Sequence, residues 1–242
     1  MWQQEQGILI GVVRHNDRTC VARIFTRTHG MVPFVWFLSK SGKNAARNTL
    51  LQPLTHLDFQ AEYIPTDNLH HLKETKNALP YRDIPFNPRK SAIALFLSEF
   101  LTHALIDEQN NPGLYRFLSE SLQWFDSAKE GTYANYHMAF MIGTARHIGI
   151  CPNVDEYTPG CVLDMRDGCF SPLLPKHPEF IPAELSYKLY MLMCKSYDQM
   201  NDAPLTGQER VMMLNALNNY FRLHIPMFPV LKSIEILETV FS

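Results

Sequence analysis

Seven cations fall within the first fifty residues, at Arg14, Arg18, Arg23, Arg27, Lys40, Lys43 and Arg47, against two carboxylates, Glu5 and Asp17. That stretch carries a local charge of +5 in a chain whose net charge is −2, and the other 192 residues stand at −7. A small module that gathers positive charge in this way is suited to holding a polyanion. The spacing adds a second requirement of polynucleotide binding. Arg23, Phe25 and Arg27 recur with period two, so one strand face would present cations for phosphates and a ring for base stacking. Lys40, Lys43 and Arg47 lie in the polar segment 39–47 and would extend the cationic surface as a loop. The candidate polynucleotide-binding set is therefore Arg14, Arg18, Arg23, Phe25, Arg27, Lys40, Lys43 and Arg47.

Other chemistry finds weaker footing. No Gly-x-x-x-x-Gly-Lys-Ser/Thr occurs, and Ser41-Gly42-Lys43-Asn44 lacks both the length and the hydroxyl of a phosphate loop, so activity without ATP is expected. No nucleophile sits in a Gly-x-Ser-x-Gly turn and no His-Glu-x-x-His is present. His70 and His71 are adjacent in a strand pattern and would point to opposite faces. His103, His137 and His147 fall at separate positions of apolar helices. Asp155, Glu156, Asp164 and Asp167 could hold a divalent ion for nuclease chemistry, but caps and turns account for them more simply. No catalytic residue is assigned, and the chain is not expected to be an enzyme.

The elements that must carry the cations read as strands. Gly7–Val13, Thr19–Thr28 and Met31–Leu38 alternate with period two, and strand character returns at 50–59 and 69–78. On the second segment Cys20, Ala22 and Ile24 share one small apolar face, as a barrel interior requires. His29-Gly30 reads as a tight turn with Gly30 at positive φ. Five short strands suit a closed barrel of the OB type over residues 1–80.

Prolines 80, 85 and 88 mark a linker, after which the apolar period becomes 3.6. Helices are expected over about 88–108, 112–128, 132–148, 182–199, 206–223 and 230–240. Asn87-Pro88 and Asn111-Pro112 would open the first two, and Thr206-x-x-Glu209 is a capping box. Residues 150–180 are rich in proline and cysteine, with a hairpin expected where Arg166-Asp167-Gly168 joins 162–165 to 169–170. The reading is α+β: a barrel at 1–80, then a helical domain at 81–242 carrying a small hairpin insert. Five cysteines at irregular spacing do not form a disulfide framework and suit a reducing cytoplasm. No apolar run reaches the ~18 residues of a membrane span, and the opening residues do not predict a secretory leader.

This order of features resembles the RecO family of DNA repair proteins. The resemblance rests on Gly7-Ile8-Leu9-Ile10, on Ile24-Phe25-Thr26-Arg27 followed by Gly30, and on Leu51-Gln52-Pro53-Leu54. It continues through Leu72-Lys73-Glu74, Ala94 to Ala104, and Leu163 to Phe170. It implies a recombination mediator with an N-terminal OB-fold and a helical C-terminal region. Such a protein binds single- and double-stranded DNA, anneals complementary strands and engages the acidic tail of single-stranded DNA-binding protein. It also acts with RecR to load RecA, in the cytoplasm, at the nucleoid. Arg116, Lys188, Lys195 and Arg222 are cations available for such a tail.

Many members of that family carry two Cys-x-x-Cys pairs after the third helix. Here that segment has Cys151, Cys161 and Cys169 with no Cys-x-x-Cys, and Cys194 follows in a helix. Asp155, His177 or Cys194 could complete four ligands, but the spacing favours small buried thiols, with packing and the hairpin in place of the metal. No cofactor or metal is expected. A rival reading is a protein adaptor whose barrel binds a partner rather than DNA.

Overall fold

The computed structural model describes residues 1–38, 47–64, 68–106 and 108–241. Five strands form a closed barrel: β1 (Gln3–Arg14), β2 (Thr19–Thr26), β3 (Gly30–Phe37), β4 (His56–Glu62) and β5 (His70–Asn77). Their order around the barrel is β1-β2-β3-β5-β4, and β1 closes the ring against β4. β3 and β5 pair parallel while the other pairs are antiparallel. This is the five-stranded topology expected of an OB barrel.

The interior holds Leu9, Cys20, Ala22, Ile24, Val32, Phe34, Trp36, Leu57, Phe59, Ala61 and Leu72. Cys20, Ala22 and Ile24 face inward as the alternation predicts. β1 serves two neighbours, pairing with β4 over Gln3–Ile8 and with β2 over Gly7–Arg14, and its register with β2 shifts between Leu9 and Gly11. Gly7 is required there: a Cβ would sit 2.3 Å from Ile24 Cγ2. Ile8, Leu9 and Ile10 are all fully buried, so both faces of β1 are covered at this point. The outer cover is α1 (Pro88–Ala104), whose Ser98 hydroxyl donates to the Ile10 carbonyl.

The β2–β3 turn has Gly30 at φ 73°, and a Cβ there would lie 2.3 Å from the Glu108 carbonyl oxygen. Only glycine combines that conformation with so close an approach. The fourth strand begins later than the sequence pattern suggests. Residues Asn48–Leu50 form a 3-10 turn and Leu54 takes φ 63°; the Leu54 N–H donates to the Leu9 carbonyl at 2.8 Å and the Leu9 N–H to the Thr55 carbonyl at 2.9 Å, so pairing with β1 starts at the end of the 50–54 run.

The proline-rich linker is clasped rather than loose. The Asp126 carboxylate accepts the backbone N–H groups of Arg82, Asp83 and Ile84 at 2.8–2.9 Å. Asp126 ends the apolar stripe Leu114, Leu118, Leu122, Phe125 of α2 (Pro112–Ser127). Asn87 caps α1 by accepting from Arg89 and Lys90, with Pro88 at the first helical position. Barrel, α1 and α2 make one compact unit, Met1–Asp126, and Ser127–Ser242 makes a second.

The second unit contains α3 (Tyr136–His147), α4 (Ala183–Cys194), α5 (Gly207–His224) and α6 (Ser233–Phe241). Thr206 and Glu209 form the expected capping box on α5. The hairpin is β6 (Val162–Asp164) and β7 (Cys169–Ser171), turning at Gly168 with φ 65°. A third strand, β8 (Phe180–Ile181), pairs with the other edge of β6. Two residues are too few for periodicity to announce a strand. Ser186 ties this sheet to α4 by accepting from Leu163 N–H and donating to the Ile181 carbonyl. His177 bridges Asp164 at 3.2 Å and Glu179 at 3.3 Å, and Tyr157 stacks on Tyr190 at 3.9 Å. Among the described residues, no three His, Cys, Asp or Glu side chains are grouped to hold a metal, and all five cysteines are free.

Candidate nucleic-acid interface

The β1–β2 turn gathers two of the candidate cations. Asn16 accepts the N–H groups of Arg18 and Thr19 at 2.8 and 2.9 Å, a local side-chain bond that shapes the turn. Arg14 and Arg18 emerge from it exposed, and among the described residues Arg14 makes only a solvent-facing 3.7 Å pair with Asp17. The Leu38 N–H donates to the Arg18 carbonyl at 2.7 Å, fixing the end of β3 beside the turn. At that end Phe37 is 59% exposed, opposite Thr19 in the strand register. An unoccupied ring next to a cationic turn is the pairing that single strands require.

The outer wall below it is formed by β1, β2 and β3. Val13, Val21 and Val35 are in register across it, followed by Gly11, Arg23 and Pro33. Val13 is 53% exposed, while Arg23 is half-buried. Arg23, Val21, Pro33, Leu69 and Ile106 line a cavity of about 290 Å³ on this wall. Burial lowers the pKa of His103 nearby; Glu99 opposes this and the charge of Arg23 adds to it. In an OB barrel the face of β2 and β3, with the loop joining β1 to β2, is where oligonucleotides bind.

Other candidates are placed differently. Phe25 faces outward as predicted but is fully buried, because Tyr115 of α2 lies over it with ring centroids 6.4 Å apart. It has no face to offer a base, which corrects its assignment as a stacking residue. Arg47 is half-buried, with its guanidinium 4.2 Å above the Trp36 ring and Nη2 donating to Thr75 Oγ1 at 3.1 Å. Burial lowers its pKa, and the side chain closes the end of the barrel core rather than standing free. Arg27 lies at the other end of β2, nine residues from Arg18, roughly 30 Å of extended chain. Its backbone N–H donates to the Gln6 carbonyl, and its guanidinium is 3.5 Å from Gln6 Oε1. Lys40 and Lys43 lie outside the described residues.

Thus Arg14 and Arg18 cluster at the β1–β2 turn, with Arg14 opposite the inward-facing Cys20; Arg23 lies on the outer wall, Arg47 closes the barrel end, and Arg27 belongs to a separate surface. Phe37 is the functional candidate that the sequence reading passed over. Its signal was present, since it continues the outward set Met31, Pro33 and Val35. One of the two carboxylates of this stretch is buried away from the β1–β2 turn. Glu5 is 4% exposed and accepts from Tyr63 at 3.0 Å and from the Thr28 hydroxyl, with His29 Nδ1 at 3.3 Å. Among the cations considered for an acidic tail, Lys188 is bound to Glu209, while Arg222 is exposed.

Comparison with known proteins agrees with this architecture. Residues 1–81 match the family model described as Recombination protein O N terminal, and residues 85–233 match Recombination protein O C terminal. The DNA repair protein RecO of Phocaeicola vulgatus is 37% identical over 242 residues, covering 100% of both chains. That of Bacteroides fragilis is 36% identical over 243 residues, again covering 100% of both. That of Flavobacterium psychrophilum is 30% identical over 239 residues, covering 98% of each.

Proposed function

The chain belongs to the RecO family of DNA repair and recombination proteins, and on that premise we propose that it is a mediator that binds and anneals single-stranded DNA. The observation that carries this reading is the exposed Phe37 ring beside the Arg14–Arg18 turn, on the β2–β3 side of the barrel. Arg14, Arg18 and Arg23 neutralise phosphates and Phe37 stacks a base, while Lys40 and Lys43, which follow β3 in the sequence, add positive charge for phosphate binding. Neutralised strands no longer repel one another, and a modest affinity leaves bases free to re-register until they pair. None of this requires covalent chemistry or a nucleotide cofactor, so the protein acts without catalysis. Duplex DNA engages the same cations through its phosphates.

The partners proposed with this activity are RecR and the acidic tail of single-stranded DNA-binding protein, through which RecA gains access to coated strands. An acidic tail suits the second unit, where Arg222 stands exposed. The site of action is the cytoplasm, at the nucleoid; no described helix is long and apolar enough to cross a membrane.

The test is titration of labelled single-stranded DNA into the wild type and into R14A/R18A/F37A at low salt. Saturable binding that the triple variant weakens supports the reading. Wild-type protein that binds RecR or the tail peptide but no DNA would favour the adaptor reading instead.

A further inference from the structure

Arg27 and Arg116 line one cleft of about 520 Å³ within the first unit, between the β1–β2 end of the barrel and α2. The cleft lies at the opposite end of β2 from the Arg14–Arg18 turn. Neither guanidinium forms an ion pair among the described residues; Arg27 has only the long 3.5 Å contact to Gln6. Both guanidiniums face a space whose wall also carries the Glu120 carboxylate, and an anion lying between the two arginines offsets their mutual repulsion. Tyr115 stands beside them: burial raises its pKa to about 12, the Arg27 charge opposes that rise and Glu5 adds to it. The wall continues along α2 with Ser119, Glu120 and Gln123.

We propose that this cleft is a nucleotide-phosphate site, in which Arg27 and Arg116 together hold the phosphate oxygens. Planar forks suit phosphate because two N–H groups of one guanidinium meet two oxygens at once. The Tyr115 edge and the Gln6 and Gln123 amides give an attached nucleoside an apolar surface and hydrogen-bonding groups of both senses. A cavity of this size accommodates one nucleotide unit. Glu120, one helical turn beyond Arg116, repels a second negative group. That favours a single phosphate over a peptide bearing several carboxylates. The anion chemistry stands on the cleft alone; only the expectation that the phosphate comes from a DNA strand rests on the proposed function.

Three ligands separate the sources: thymidine 5′-monophosphate, a 15-residue oligothymidylate with a 5′-phosphate, and the same oligomer with a 5′-hydroxyl. Each is titrated against the full chain, R27Q/R116Q and R27K/R116K, with a short acidic peptide as a fourth arm. The monophosphate, followed by its phosphorus resonance, should saturate the wild type. Binding should weaken at least about tenfold in the glutamine pair and largely recover in the lysine pair. A preference for the 5′-phosphate oligomer that the glutamine pair abolishes identifies a strand terminus. Equal weakening of both oligomers identifies an internal phosphodiester, and either outcome supports the site. Monophosphate and oligomers that bind the glutamine pair as well as the wild type overturn it, as does a response confined to the acidic peptide. Oligomer binding unchanged in R27Q/R116Q, with no monophosphate bound by the wild type, removes the cleft and leaves the polynucleotide reading intact. Monophosphate held by the pair in a protein that binds no oligomer does the reverse.

Discussion

The Lys90 ammonium lies 2.8 Å from the Asp83 carboxylate, although Lys90 is only 1% exposed and Asp83 is 46% exposed. The same nitrogen donates to the Asp126 carbonyl at 2.8 Å and approaches the Phe125 ring at 5.5 Å. One buried cation thus joins the linker, α1 and the end of α2. Replacing it by alanine removes these bonds and opens a cavity, so K90A should lower the stability of the first unit by about 3 kcal/mol in urea melts. D83N, whose carboxylate is half in water, should cost about 1 kcal/mol or less. Equal costs for the two would show that the ammonium is not the organising group.

His56 sets an acid limit on the same unit. Tyr81 donates its one proton to the Leu54 carbonyl at 2.8 Å, so at 3.1 Å it can only accept from His56 Nδ1. That leaves His56 Nε2 to accept from Ser119 at 3.1 Å, a tautomer assigned from the network. Burial lowers the His56 pKa to about 4 from 6.5. Between those values the unfolded chain binds the extra proton, so the contribution of neutral His56 is complete above pH 6.5 and declines as the pH falls towards 4. The loss at the lower end is on the order of 3 kcal/mol. H56N should flatten the pH dependence of urea unfolding over that window; an unchanged slope would refute the assignment.

His137 behaves likewise in the second unit. It is fully buried, and burial, with the Arg210 charge secondary, lowers its pKa to about 3. Its contribution also declines below pH 6.5 and continues to fall to about pH 3. Hydrogen-exchange protection factors on α3, taken relative to the intrinsic rate at each pH, should therefore fall on acidification independently of H56N.

Phe37 and the two turn arginines should differ in how salt affects them. R14A/R18A should reduce the slope of log affinity for single strands against log salt by about 1.4, since two phosphates are no longer neutralised. F37A should weaken binding by about 1–3 kcal/mol at every salt concentration, leaving the slope unchanged. A change of slope in F37A would mean that the ring acts by placing a cation.

Phe25 and Arg47 should report on stability instead. F25A empties the space beneath Tyr115 and should cost about 3–5 kcal/mol. R47A uncovers Trp36 and should cost about 1–2 kcal/mol, with intrinsic DNA affinity little altered where the protein remains folded. A selective loss of binding in F25A, with no shift in the urea midpoint, would restore it to the interface.

What the sequence alone determined is local. Alternation assigns Cys20, Ala22 and Ile24 to the barrel interior, Asn87-Pro88 and Thr206-x-x-Glu209 open their helices, and Gly30 marks its turn, because each depends on neighbours a few residues away. Charge sorting likewise marks the front of the chain as cationic. Which outward-facing side chains remain uncovered was decided only by the tertiary structure. Tyr115 covers Phe25 from 90 positions along the chain, while Phe37, with the same alternation, is left open. Arg47 settles on Trp36, Arg27 turns to a different surface from Arg18, and Lys90 is drawn inside by Asp83 and Asp126. Periodicity determines the side of an element from which a residue projects; the packing of distant segments determines whether that side meets water.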